Sequence, residues 1–283
     1  MIISVASGKG GTGKTTVATN LAVSINTDVR ILDCDVEEPN AHLFLNPAID
    51  RRETVSTPVP RIDEAKCTFC KACAEICRFN AIAILNNKTI LTFHELCHSC
   101  GGCVEVCPEK AITETKRELG VIETGKAYAF SFVHGRLKVG EAMSPPLINK
   151  VRSFIDNDKL NIIDAPPGTS CPVITAMKGG DFVLLVTEPT PFGLHDLKLA
   201  VEAVKQLDLP RGLVINRADI GDGQVREYAR AENLPILMEI PFDRRIAEIY
   251  SRGEMMVEVL PEWKEQFVRL YDRIKEITGN KEK

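Results

Sequence analysis

Apolar positions in the first part of the chain fall into short runs with no polar alternation. Ile2, Ile3, Val5 and Ala6 form the first run, the pattern of a strand buried on both faces. Ser7–Gly13 follows as a glycine-rich loop. From Lys14 to about Ile25 the residues Val17, Leu21 and Ile25 recur at helical spacing. Val29–Leu32 is a second apolar run, ending in Asp33-Cys34-Asp35. Leu160–Ile163, Phe182–Val186 and Gly212–Ile215 repeat the pattern, each followed by a turn and a helical stretch. Such an alternation predicts an α/β fold, a mostly parallel sheet flanked by helices. Its chemistry is expected at the carboxyl ends of the strands. Near the end, Trp263, Phe267, Leu270, Ile274 and Ile277 share helical spacing over Pro261–Ile277. Glu262, Glu265, Asp272 and Glu276 interrupt the polar face of that helix. The pattern fits a helix that covers the core rather than a basic helix lying on a membrane.

The regime is interrupted once. Thr57-Pro58-Val59-Pro60 reads as a stiff, non-helical linker, and the strand–helix pattern returns with Ala127–Val133. The predicted organisation is a discontinuous main domain, 1–59 and 116–283, with a small domain inserted over 60–115. Eight of the ten cysteines lie between Cys67 and Cys107. Cys67, Cys70, Cys73 and Cys77 recur at a constant offset as Cys97, Cys100, Cys103 and Cys107, and Ala81-Ile82 recurs as Ala111-Ile112. The insert is therefore a half-domain built twice. The start, Met1-Ile2-Ile3-Ser4-Val5, has no charged region of the kind that opens a signal peptide. No apolar run approaches the roughly 18 residues of a membrane span. The net charge of -4 argues against a chain that coats a polyanion. A cytoplasmic protein with no membrane or nucleic-acid partner is expected, and clustered cysteines in that compartment predict metal rather than disulfides.

Gly8-Lys9-Gly10-Gly11-Thr12-Gly13-Lys14-Thr15 matches the P-loop pattern, with a strand before it and a helix after. Glycines let successive backbone N–H groups converge on phosphate oxygens, and the helix N-terminus adds its positive end. Lys14 is expected on the terminal phosphates and the Thr15 hydroxyl on Mg²⁺. Gly8, Lys9, Gly10, Gly11, Thr12, Gly13, Lys14, Thr15 and Thr16 are the candidate nucleotide-binding residues.

With its second lysine, Lys9, this loop resembles the deviant P-loop of the family of MinD, the ParA partition ATPases, the nitrogenase iron protein and the Mrp-type iron–sulfur carriers. The resemblance covers most of the chain outside the insert. It implies that Lys9 crosses a dimer interface to the partner's nucleotide, and that Asp35 positions the attacking water with Asp33 in support. It also implies that Asp164, in Asp164-Ala165-Pro166-Pro167-Gly168, holds Mg²⁺ through water, that Gly168 offers an N–H to the γ-phosphate, and that Asn216 meets the base. Asn216-x-x-Asp219 is also the spacing of guanine readers, so GTP stays open, while the family favours ATP. Lys9, Lys14 and Asp35 are the candidate catalytic residues.

The C-x2-C-x2-C-x3-C run, present twice, is similar to the bacterial two-cluster ferredoxins. In these the fourth cysteine of each run ligates the other cluster. The resemblance implies a small α+β ferredoxin-like domain. One [4Fe–4S] cluster would be on Cys67, Cys70, Cys73 and Cys107, and a second on Cys97, Cys100, Cys103 and Cys77. Zinc is the competing metal, but its sites favour paired C-x2-C elements and histidine. Pro108 follows Cys107 as in that family, whereas Arg78 follows Cys77. The insert carries seven basic and seven acidic residues from Arg61 to Lys116, unlike the acidic surface of many ferredoxins. His98 reads as an exposed spacer; His42, His94, His134 and His195 show no ligand spacing. Cys171 follows the Asp164 segment, where the nitrogenase iron protein places a cluster ligand. With no second ligand in sight, it reads as a small buried residue, as does Cys34.

The combined expectation is a nucleotide-dependent homodimer in which ATP closes the dimer, gates electron transfer through two clusters to an unknown redox or iron–sulfur client, and is slowly hydrolysed to reset it. The alternatives are a cluster carrier of the Mrp type, a MinD/ParA-like positioning ATPase and, more distantly, an amidoligase of the cobyrinate type.

Overall fold

The computed structural model describes residues 1–25, 28–86 and 88–279. Its strands are β1 (Ile2–Ala6), β2 (Val29–Asp33), β3 (Ala48–Ile62), β4 (Ile82–Leu85), β5 (Thr89–Thr92), β6 (Ile112–Ala127), β7 (Phe130–Leu137), β8 (Leu160–Asp164), β9 (Phe182–Thr187), β10 (Arg211–Asn216) and β11 (Ile236–Ile240). Its helices are α1 (Lys14–Ile25), α2 (Ala41–Leu45), α3 (Ala72–Ile76), α4 (Gly102–Glu105), α5 (Pro145–Arg152), α6 (Cys171–Met177), α7 (Pro191–Gln206), α8 (Gln224–Ala231), α9 (Arg244–Ser251), α10 (Met256–Val259) and α11 (Glu262–Gly279). No helix among the described residues is long and apolar enough to cross a membrane.

The chain divides into two compact units. The first comprises Met1–Arg52, Ile122–Arg136 and the residues from Ile148 onward; the second comprises Glu53–Val121 and Leu137–Leu147.

The first unit is built on the sheet order β11-β10-β9-β1-β8-β2-β7, continued by β6 and β3. From β11 to β7 every pairing is parallel. The fold is thus the expected large, mostly parallel sheet flanked by helices. Its central strands are apolar without alternation because helices cover both faces. β1 shows the consequence: Ile3, Val5 and Ala6 are all buried, although successive side chains point to opposite faces. α11 packs on α1, with Phe267, Leu270 and Ile274 buried in the main core. The apolar stripe of the last helix is therefore spent inside the fold.

The observed elements extend the expected strands by a residue or so. One expectation fails. Thr57-Pro58-Val59-Pro60 is part of the 15-residue strand β3, not a linker. β3 is the last strand in the sheet order. At a sheet edge the N–H that proline lacks need not bond a neighbour, so two prolines fit a strand there. The returning pattern at Ala127–Val133 is likewise resolved into the end of β6, a turn at Tyr128-Ala129 and the start of β7.

The second unit has a small core of Cys73, Ile82, Ile90 and Ile112, with Cys67, Phe69, Cys103 and Cys107 packed against it. β4 and β5 pair antiparallel, Ile84 opposite Ile90. The sequence repeat is also a repeat of backbone shape. Phe69 and Ser99 both have φ 55°, and Lys71 at 71° matches Gly101 at 72°.

Candidate functional site

The phosphate loop joins β1 to α1, and two glycines show why it needs them. A side-chain carbon on Gly8 would lie 2.2 Å from the backbone oxygen of Asp196, so the loop passes too close to α7 for any other residue. Gly13 has φ +97°, and a carbon there would meet the Asn216 amide at 2.6 Å. α1 then opens with the Val17 N–H donating to the Gly13 carbonyl at 2.9 Å.

The loop borders an open cavity of about 370 Å³. Gly10, Gly11, Gly13, Lys14, Thr15, Thr16, Asp35 and Asn216 line it, together with Pro241, Phe242, Ile246, Tyr250 and Met256. A lysine and a helix N-terminus suit phosphates, and apolar side chains suit a flat ring. Gly8, Lys9, Thr12 and Asp164 are not on this wall.

Behind the wall lies a buried polar group. The Thr15 hydroxyl donates to Asp164 Oδ2 at 2.6 Å. Asp164 is fully buried at the end of β8, and its Oδ1 has no partner. Burial pushes its carboxyl up to about 7, against the Thr15 hydrogen bond and the Lys14 charge. Lys14 is itself only 6% exposed. Burial lowers its pKa, while Asp164, Asp35 and Asp33 pull it back up. Asp35 is raised to about 6, chiefly by burial, opposed by Lys14. These charges form one interdependent set beside the cavity.

The other candidates have different surroundings. Asp33 is buried, and its carboxylate accepts from the Asp35 and Ala41 backbone N–H groups, each at 3.1 Å, so it holds the loop that carries Asp35. The Asn216 amide donates to the Thr12 carbonyl at 2.9 Å and its oxygen accepts from the Arg217 N–H at 3.0 Å, bracing the phosphate loop. The Gly168 N–H donates to the Ser7 carbonyl at 3.0 Å. Asp219 accepts the Phe242 N–H. Lys9 lies 3.8 Å from Glu188, which also holds Arg217 at 2.9 Å. Sequence reasoning missed Glu188. The signal was available, because Glu188 directly follows β9 at the carboxyl end of a central strand. Cys34 is buried, and burial drives its thiol far up. Cys171 is exposed, against expectation, because it opens α6 instead of facing the core.

All ten cysteines are free. The second unit sorts eight of them into two cavities. Cys67, Cys70, Cys73 and Cys107 line one. Cys77, Cys97, Cys100 and Cys103 line another. Backbone N–H groups are aimed at sulfur in matched pairs. Phe69 donates to Cys67 and Ser99 to Cys97 at 3.4 Å; Ala81 donates to Cys77 and Ala111 to Cys107 at 3.3 Å. Burial raises the Cys73 thiol and pushes Cys103 up to about 11. Among the described residues no three Cys, His, Asp or Glu side chains are placed to hold a single metal ion. The thiols surround a space rather than a point.

Residues 3–257 match the CobQ/CobB/MinD/ParA nucleotide-binding domain. An uncharacterized protein of Methanocaldococcus jannaschii is 33% identical over 265 residues, 91% of this chain and 92% of its own length. An iron-sulfur cluster carrier protein of Aquifex aeolicus is 28% identical over 279 residues, 90% of this chain and 61% of its own. In structure, the septum site-determining protein MinD of Pyrococcus horikoshii, solved with Mg-ADP, aligns over 99% of this chain and 98% of its own, with a TM-score of 0.61 and 22% identity. With its phosphate loop, its strand-end carboxylates and a family match over most of its length, the chain belongs to the CobQ/CobB/MinD/ParA family of nucleotide-binding proteins.

Proposed function

We propose that the protein is a Mg-ATP-hydrolysing, homodimeric iron–sulfur protein. Its second unit would be an inserted two-cluster ferredoxin domain, and nucleotide would gate electron transfer through it. One observation carries the iron–sulfur part: each cavity is lined by the four cysteines of one cross-ligated set, three from one run and the fourth from the other. Independent zinc sites give no reason for that exchange.

The residues fit the groups. Asp164 has an orphaned buried oxygen beside the Thr15 hydroxyl, a donor set of hard oxygens that suits Mg²⁺. Mg²⁺, when bound, would neutralise charge on the phosphates. Lys14 would bind the terminal phosphates, and burial without water strengthens that pairing. Asp35 would orient the attacking water, and Asp33 would keep it in place through the Asp35 N–H. Lys9, kept loosely by Glu188, would be free to reach a partner's nucleotide. The cysteines would bind iron as thiolates, their protons released to solvent, and the four N–H groups aimed at sulfur would stabilise the charge. The clusters, when bound, would supply one-electron carriers.

The experiment is an anaerobic redox titration with and without Mg-ATP, on wild type and Lys9→Ala, after iron and sulfide quantitation. Support requires about eight irons per chain and a potential or oxidation rate that shifts with nucleotide in wild type only. Potentials indifferent to nucleotide overturn the gating. The relative named as an iron-sulfur cluster carrier favours a second reading, delivery of a cluster to a client. Transfer of iron to an apo-ferredoxin acceptor would support it, and resistance to transfer would reject it.

A further inference from the structure

Away from the phosphates, the first unit buries a polar cluster with no part in the mechanism above. His134 lies near the end of β7, 2% exposed, with its Nε2–H donating to Glu123 Oε2 at 2.7 Å. Its Nδ1 has no partner. Phe132 and His42 pack against its ring, each with centroids 5.1 Å away. Glu123 also draws in Arg52 at 3.6 Å and Arg136 at 3.8 Å. A histidine this buried, next to a carboxylate ringed by two arginines, is an expensive arrangement for packing alone.

The cluster is connected to the hydrolytic loop by short steps. His134 is the register partner of Asp33 across β2 and β7. His42, seated edge-on against His134, follows Ala41, whose N–H donates to Asp33 at 3.1 Å. The other oxygen of Asp33 accepts the Asp35 N–H. Glu123, His134, His42, Ala41, Asp33 and Asp35 thus form a continuous series of contacts and chain neighbours. Glu123 sits on β6, whose first part, up to Val121, belongs to the cysteine-bearing unit.

We propose that His134, held by Glu123 and braced by His42, is a positioning residue for Asp35. It would act through Ala41 and Asp33 and have no contact with nucleotide. The proposal rests on the reading of Asp35 as the residue that orients water during ATP hydrolysis. A positioning loss of this kind falls on kcat and spares nucleotide binding, and small displacements of a catalytic group cost up to about 100-fold.

The test compares His134→Gln with His134→Asn. A glutamine amide reaches about as far as Nε2 and can still donate to Glu123; an asparagine amide stops near Nδ1. ATP turnover and amide hydrogen exchange are measured on both, with Lys14→Ala as the inactive control. The expected result is that His134→Gln keeps wild-type turnover. His134→Asn loses about 10–100-fold in kcat at unchanged KM, and the Asp35 and Ala41 amides exchange faster in it. Equal loss in both variants, no loss in His134→Asn, or a loss confined to KM overturns the proposal. Should the histidine variants not fold, Glu123→Ala must show the same kcat loss and exchange pattern, and a wild-type result there overturns it equally. A wild type no faster than Lys14→Ala would instead overturn the hydrolysis reading, and the relay with it.

Discussion

Thr15 donates its hydroxyl hydrogen to Asp164 at 2.6 Å across 149 residues of sequence, and the second oxygen of that buried carboxylate is left without a partner. Two oxygens on different elements, one of them unsatisfied, are donors of the kind that suits a hard cation. Asp164→Asn removes the charge and keeps the shape. It is expected to lower Mg-dependent hydrolysis by about 100- to 1000-fold, while nucleotide binding in EDTA, read by calorimetry, stays as in wild type.

The phosphate loop tolerates substitution unequally. Gly8→Ala drives a carbon to 2.2 Å from the Asp196 carbonyl, whereas nothing lies within 4 Å of the same atom on Gly10. Gly8→Ala is expected to cost about 1–3 kcal/mol of folding stability and Gly10→Ala less than about 0.5 kcal/mol. Urea unfolding of the nucleotide-free protein measures both.

On the proposed role of Asp35 in orienting water, its carboxyl predicts the sign of a pH profile. Burial raises it from 3.8 to about 6, so its ion forms only as pH passes 6. Hydrolysis should rise through that range. Stability should move the opposite way. A raised acid favours the folded state while protonated, and that contribution is present below pH 3.8 and lost as pH rises through about 6. Asp35→Asn is therefore expected to be more stable than wild type at pH 8 by about 1–3 kcal/mol, with the difference gone near pH 4. Denaturation curves at the two pH values decide it.

The exchanged cysteines predict which variants resemble each other. Cys107→Ser should match Cys67→Ser, and Cys77→Ser should match Cys97→Ser, because each pair shares a cavity. Electron paramagnetic resonance of the reduced, anaerobic proteins should show one cluster signal lost in the first pair and the other in the second. A grouping by sequence run would reject the cross-ligation.

Much of this is legible in the sequence. Lys14, Thr15 and the strand–loop–helix that carries them are local, and so is the cysteine spacing. The failures were all non-local. Pro58 and Pro60 looked like linker residues because a sequence does not say that their strand ends the sheet order. Cys171 reads as buried because no second cluster ligand accompanies it in the sequence, but the start of α6 turns it outward. Glu188 does not stand out in the sequence because its partners, Lys9 and Arg217, come from two other strand ends.

By itself, the sequence determined what depends on a few adjacent residues: glycines that permit a phosphate loop, apolar runs that must be covered on both faces, and thiols repeated at one spacing in two runs. Tertiary structure decided what depends on strand order. β1 lies between β8 and β9, β8 between β1 and β2, and β7 beside β2. Asp164 thereby reaches Thr15, Glu188 reaches Lys9, and His134 comes alongside Asp33. Backbone geometry propagates over only a few residues, whereas these contacts join groups brought together when the sheet assembles and buries its faces.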